Sequence, residues 1–134
     1  EALAEDSGIT LGVKGAIGSI AADREMLTRA LNNLLSNAIR HTPRGKSITV
    51  LLSQDEQWTT ISVVNPGEKI PEPDLPKLFN RFYRVDPARQ RNTAGAGLGL
   101  AIVKSIAEAH GGSVAVTSSE AVTRFDLALP HLRQ

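Results

Sequence analysis

An α+β fold, a two-layer sandwich with helices over one face of a mixed and mostly antiparallel sheet, is what this sequence predicts. Two amphipathic helical stretches and two β-branched hairpins predict it, in a chain of 134 residues that suits one hydrophobic core and not two. The third observation is an irregular connection over residues 65–96, between the first hairpin and the second helix. A stretch of that length without its own regular structure marks a functional lid or a disordered segment.

The elements follow in chain order. Residues 1–8 are polar and end in Gly8, as expected of the end of an upstream helix or linker, so the domain is placed at 9–134. Ile9 to Val13 and Ser19 to Ala21 predict short strands around a turn at Lys14 and Gly15. Asp23 offers an N-cap for a helix from Arg24 to His41. Its apolar residues Leu27, Ala30, Leu31, Leu34, Leu35, Ala38 and Ile39 follow the i, i+3, i+4, i+7 pattern of a buried stripe. Pro43 and Gly45 stop it. Ile48 to Ser53 and Trp58 to Val64 predict an antiparallel hairpin around the polar turn Gln54 to Gln57. A short helix is expected near Asp74 to Phe79. The second long helix runs from Gly99 to His110, with Leu98, Ile102, Ile106 and Ala109 on one stripe and Gly111 as its stop. Ser113 to Thr117 and Val122 to Leu129 predict a closing hairpin.

Composition narrows the function. A content of 41% hydrophobic and 22% charged residues is that of an ordinary globular domain. A net charge of +1 gives no support to a nucleic-acid partner. The absence of cysteine excludes disulfides and cysteine-ligated zinc. No run approaches the roughly 18 apolar residues of a membrane span. The chain starts with Glu1 rather than Met, which suggests a piece of a longer protein.

Three groups of residues could carry chemistry. Asn33, Asn37 and His41 recur every fourth residue along the first helix, with Arg40 beside them, and form a polar stripe next to the apolar one. Amide oxygens there could hold a hard cation such as Mg²⁺; equally, the asparagines could tie the helix to a loop. Gly95-Ala96-Gly97-Leu98-Gly99-Leu100 opens the second helix. Glycines let backbone N–H groups approach an anion, and the helix dipole adds positive charge at the same place; a flexible hinge is the alternative. Lys77, Arg81, Arg84, Arg89 and Arg91 precede those glycines and could neutralise a polyphosphate or form a solvated face. Phe79, Phe82 and Tyr83 suit anchors of the loop better than stacking platforms. His110 at a helix end suits a cation facing the dipole.

Taken in order, these segments resemble the catalytic ATP-binding domain of sensor histidine kinases, in the superfamily that includes gyrase and MutL. The N box resembles residues 33–42, the first glycine box 65–71, the F box 79–84, the second glycine box 95–100, and a third glycine-region motif 122–125. The resemblance implies the Bergerat-type fold with a long ATP lid. It implies ATP and Mg²⁺ as cofactors, and phosphoryl transfer to a histidine on a dimerisation domain outside this chain. Asn37 would hold Mg²⁺, with Asn33 as a second ligand or its support. Arg40 and His41 would lie near the phosphates and nucleoside. Arg84 and Arg89 would reach the γ-phosphate and, with Asn37, act in transfer. Gly97, Leu98 and Gly99 would give backbone contacts to phosphate, Asn65 with Gly67 would face adenine, and Gly95, Leu100, Ile70, Phe79 and Thr123 would also bind the nucleotide. Implied partners are the protein's own phosphoacceptor domain, a response regulator and, in the full-length protein, a second copy; this piece alone would be monomeric. The implied place is the cytoplasmic side of an inner-membrane sensor.

Several residues depart from the pattern. Asn65 stands where the family usually has an adenine-reading aspartate, and Lys69 and Val122 replace usual glycines. An asparagine could accept from adenine's amine while its NH₂ approaches the ring nitrogen. Asn65-Pro66-Gly67 with the following Arg-Phe-Tyr-Arg-Val-Asp-Pro resembles heavy-metal-responsive sensor kinases. A clamp-type ATPase of the same superfamily would need a catalytic glutamate on the first long helix, and Glu25 lies eight residues before Asn33 at its very start.

Overall fold

A computed structural model describes residues 8–130 except 19, 21, 68 and 81–98. Five strands form one sheet in the order β1-β2-β3-β5-β4. They are β1 (Thr10–Gly15), β2 (Ser47–Gln54), β3 (Trp58–Pro66), β4 (Ser113–Ser118) and β5 (Val122–Pro130). β1 runs parallel to β2, and every other pairing is antiparallel. Helices α1 (Arg24–His41) and α2 (Gly99–Ala109) pack together against the sheet.

Local chemistry sets the helix ends. The Asp23 side chain accepts from the Met26 N–H at 2.9 Å, which satisfies one of the unpaired donors of the first turn of α1. At the other end the Thr42 hydroxyl donates to the Ala38 carbonyl at 2.6 Å. Gly45, at φ +88°, turns the chain into β2 in a conformation that favours glycine. α2 ends at Gly111, where φ is +77°.

Between the helices and the sheet, Leu34, Ile48, Val63, Val103 and Leu127 are fully buried. Each such side chain contributes about 1.5–3 kcal/mol by leaving water. Strand alternation supplies one face of this core, since Phe125, Leu127 and Leu129 of β5 all point into it. Phe79 packs edge-to-face on Phe125 with ring centroids 5.9 Å apart, so it anchors the segment after β3 to the core.

Some boundaries differ from expectation. Lys14 and Gly15 belong to β1 and not to a turn after it, because the parallel ladder to β2 continues through Gly15↔Leu52. Ile20 lies in no strand, so the strand expected at Ser19 to Ala21 is absent at its one described residue. The short helix is a 3₁₀ helix at Glu72–Lys77, two residues earlier than expected; Pro71 caps it and its prolines suit a short, tight turn. On α2 the buried stripe is Val103, Ile106 and Ala107, while Ala109 is exposed. The helix is therefore rotated by about one residue from the predicted face.

The other face of the sheet carries a closed polar cluster. Ser62 and Asp126 are register partners on β3 and β5. The Ser62 hydroxyl donates to Asp126 at 2.5 Å. Arg124 then donates from Nε to the same carboxylate at 2.8 Å and from Nη2 to the Ser62 oxygen at 3.1 Å. Ser62 is buried although it faces away from the helices.

Candidate functional site

The polar stripe of α1 lies against the start of α2. Asn33 Nδ2 donates to the Gly99 carbonyl at 3.3 Å, so this asparagine does tie the helix to the segment that opens α2. Its Oδ1 has no hydrogen-bond partner among the described residues. A Cβ on Gly99 would sit 3.9 Å from Asn33, in ordinary contact. One turn on, Asn37 is 8% exposed. Its amide makes no hydrogen bond to another described residue. Uncommitted among the described residues, this amide could take a ligand.

Arg40 and His41 end the helix, where positive charge complements the dipole. Each keeps exposed surface, yet desolvation lowers the pKa of both, and the Arg40 charge lowers that of His41 further. The imidazole is therefore neutral at pH 7, available as donor or acceptor rather than as a cation.

The end of β3 meets α1 at this corner. A Cβ on Gly67 would lie 2.9 Å from the His41 carbonyl, so only glycine fits without a shift of helix or strand. The Gly67 N–H donates to the Ala121 carbonyl at 3.1 Å, which joins the corner to the β4–β5 turn.

Asn65 and Thr123 are register partners on β3 and β5, so their side chains share a face. Both are buried, at 3% and 4% exposure. Asn65 Nδ2 donates to the Pro66 carbonyl at 2.9 Å. That engages one N–H of the amide; its second N–H and its oxygen have no partner among the described residues. Behind Thr123, its Oγ1 lies 3.0 Å from Ser118 Oγ, which also accepts from the Ile70 N–H at 2.9 Å.

These contacts bring His41, Asn65, Gly67, Ile70 and Thr123 together, with Asn33, Asn37, Gly99 and Leu100 along the α1–α2 seam. Arg84, Arg89, Gly95, Gly97 and Leu98, and the lid expected at 87–96, lie outside the described residues. Two participants escaped the sequence reading. Ser118 occupies the core-facing phase of β4 after Val114 and Val116, and a polar residue at an apolar phase was the available signal. His110 is the other. Its Nδ1 lies 2.8 Å from the Ile106 carbonyl, and its Nε2 accepts from the Asp23 N–H at 3.0 Å. The ring clamps the end of α2 to the start of α1. Among the described residues no group of three or more His, Cys, Asp or Glu could hold a metal ion.

Known proteins share this arrangement. Sensor histidine kinase CusS of Escherichia coli K12 is 54% identical over 130 residues, covering 97% of this chain and 27% of that protein. The chain thus spans about a quarter of the length of that relative. The mycobacterial sensor histidine kinase MprB superposes with a TM-score of 0.85 at 29% identity, over 99% of this chain and 91% of that one. Full-length ShkA, in complex with AMPPNP, superposes at 0.82 and 28% identity over 99% of this chain and 28% of its own. Residues 22–133 match the family described as histidine kinase-, DNA gyrase B-, and HSP90-like ATPase, and the chain belongs to that family.

Proposed function

We propose that this domain binds Mg-ATP between α1, α2 and the β3–β5 corner, and donates the γ-phosphoryl group to a histidine on a dimerisation domain outside the chain. The observation that carries the reading is an Asn37 amide with no partner among the described residues at one end, and at the other the buried Asn65–Thr123 pair beside the contact of Gly67 with His41. The first end suits a cation with phosphates, the second a base. Family membership supports ATP as the nucleotide.

The residues fit Mg²⁺. Asn37 would present its amide oxygen, and the free Oδ1 of Asn33 would support it directly or through water, since Mg²⁺ keeps several waters. Bound there, the ion would neutralise charge on the β- and γ-phosphate oxygens. Gly99 and Leu100 would offer the first amides of α2 to phosphate. Arg84 and Arg89, from the connection before α2, would add charge at the γ-phosphate, and Gly95, Gly97 and Leu98 backbone contacts. Ile70 and Phe79 would hold the wall of the base site.

In the full-length protein, the reading places this domain on the cytoplasmic side of a membrane sensor of the heavy-metal-responsive type. It would act with its own phosphoacceptor domain, a second copy and a response regulator. Among the described residues no helix is long and apolar enough to cross a membrane. The test mixes the chain with Mg-ATP and a helical-hairpin acceptor added in trans. Acid-labile, alkali-stable label on the acceptor is expected, with none on the chain itself; acid-stable label would mean serine phosphorylation and overturn the reading.

A further inference from the structure

Helices α1 and α2 run antiparallel, and among the described residues two hydrogen bonds join them like rungs. At the start of α2, Asn33 Nδ2 donates to the Gly99 carbonyl at 3.3 Å. At the start of α1, the Asp23 N–H donates to His110 Nε2 at 3.0 Å. Asp23 precedes Asn33 by ten residues and Gly99 precedes His110 by eleven, so each helix rises roughly 15–17 Å between the rungs. The two spacings match. A slide of one helix along the other would break both bonds.

Between the rungs the helices share the apolar core of Leu34, Val103 and Ile106. Apolar burial is non-directional, so it holds the helices together more firmly than it fixes their register. The rungs are directional. The Asn33 rung belongs to the site, and a ligand that draws Asn33 toward itself loosens it. The His110 rung lies at the far end of α2, away from the site. It is also anchored. His110 Nδ1 lies 2.8 Å from the Ile106 carbonyl. Two residues on, Gly112 sits so close to the Ala128 carbonyl of β5 that no Cβ fits. His110 therefore refers the start of α1 to a point fixed on the sheet.

We propose that His110 is a positioning residue that sets the register of α1 against α2. It thereby sets the separation between the Asn37 amide and the first amides of α2, which together hold the cation and the phosphates. The base end, on β3 and β5, does not depend on that separation. This rests on the reading of the α1–α2 seam as the phosphate site. A merely structural His110 would affect phosphate and base binding alike.

The test compares His110→Phe, which keeps a ring but loses the acceptor, with His110→Gln, which keeps an acceptor of similar reach. Mg-ATP affinity is measured by calorimetry, adenosine affinity by NMR titration, and folding by circular dichroism. Asp23 is exposed, so water takes over its N–H in His110→Phe and the fold should survive. His110→Phe should bind Mg-ATP about tenfold more weakly, the scale of losing an outer contact of a metal site, with adenosine binding unchanged. His110→Gln should match the parent for both. If His110→Phe does not fold, His110→Ala takes its place with the same expectation. An unchanged ratio of the two affinities in the folded variant would overturn the proposal and leave the site reading intact. So would a loss of Mg-ATP affinity in His110→Gln equal to that in His110→Phe. A parent chain that binds Mg-ATP no better than adenosine would overturn the site reading itself.

Discussion

Strands β3 and β5 each lend residues to two buried polar clusters, one on each face of the sheet, and the two clusters end differently. On the outer face Ser62, Asp126 and Arg124 close on one another, and the Ser62 and Asp126 groups that point inward all find partners within the three residues. On the helix face Asn65 and Thr123 are just as buried, but their bonds, to Pro66 and Ser118, leave the Asn65 amide oxygen and second N–H without a partner among the described residues. Among the described residues no fully shielded side-chain N or O lacks a partner, so the atoms left open on the helix face reach the surface and can meet a ligand without the roughly 1–3 kcal/mol cost of a stranded buried group. Closed valences suit structure and open ones suit a site. Asn37 likewise has no partner among the described residues.

The largest effect should come from the open amide on α1. Asn37→Ala should lower Mg²⁺-dependent ATP affinity by at least about 100-fold, the scale of losing a metal ligand or its close support. The fold should survive, because Ala30, Leu34 and Ala38 still fill the apolar stripe. Titration in the presence and absence of Mg²⁺ checks this; unchanged affinity in a folded variant would remove Asn37 from the site. Next in size is Asn65→Ala. It should weaken ATP about tenfold to thirtyfold by removing the acceptor for the amine, with little loss of melting temperature. Equal binding by parent and variant would mean that the open end at β3 and β5 reads no base.

The contrast between the clusters also explains what could be read from the sequence. α1 runs from Arg24 to His41 with Asp23 as its N-cap, as its period-3.6 stripe and capping residue foretell. Those signals are local. The β-branched runs likewise announce β2, β3, β4 and β5 to within two residues. The rotation of α2 was misjudged because Leu100, Ile102, Val103 and Ile106 make its first turns apolar nearly all round, so the period does not choose a face. The sites divide in the same way. Asn33, Asn37 and His41 declare themselves by spacing on one helix. Ser62 with Asp126, and Ser118 with Ile70, are joined by register between segments 64 and 48 residues apart, and no local pattern encodes that. For His110 only the position at a helix end is visible in the sequence; the Asp23 N–H that it accepts lies 87 residues away. Orientation is equally hidden. The sequence singles out Asn65, but only the fold shows that one N–H of its amide is tied to the Pro66 carbonyl.

Asn65→Asp sharpens that last point, with a smaller net effect on binding. A carboxylate would offer adenine's amine a charge-assisted bond, worth on the order of 1 kcal/mol more than the amide's. It would also set an oxygen against the Pro66 carbonyl in place of a donor, at a site that is 3% exposed. The two oppose each other, so ATP affinity should stay within about threefold of the parent. Stability should reveal the conflict. Burial and the facing carbonyl raise the folded-state pKa of such an aspartate above its unfolded value of about 3.9. The folded state then holds the proton more tightly, so stability is full below about pH 4 and falls as pH rises through the raised pKa. Melting curves across pH 4–8 for Asn65→Asp against the parent check this. A flat difference would show that the carboxylate finds another donor and that the Pro66 bond does not fix the amide.

The smallest effect on binding should come from the closed cluster, which is the control for the whole comparison. Asp126→Ala removes the acceptor shared by Ser62 and Arg124, on the face of the sheet turned away from the helices. Ser62 would not be stranded, because Arg124 Nη2 already donates to its oxygen at 3.1 Å and its hydroxyl proton alone would lack an acceptor. Arg124 is 45% exposed, so water replaces the lost ion pair at its guanidinium and that part of the loss is small. The expected cost is about 1–2 kcal/mol of stability, mostly the Ser62 hydroxyl left without an acceptor. Affinity for ATP should not change beyond error, since the register partners Asn65 and Thr123 keep their own backing at Pro66 and Ser118. Chemical denaturation and calorimetric titration of the same variant read the two quantities separately. A drop in ATP affinity of several-fold at unchanged pairing of β3 and β5 would show that the two faces communicate through the sheet, and that a cluster with closed valences can still serve the site.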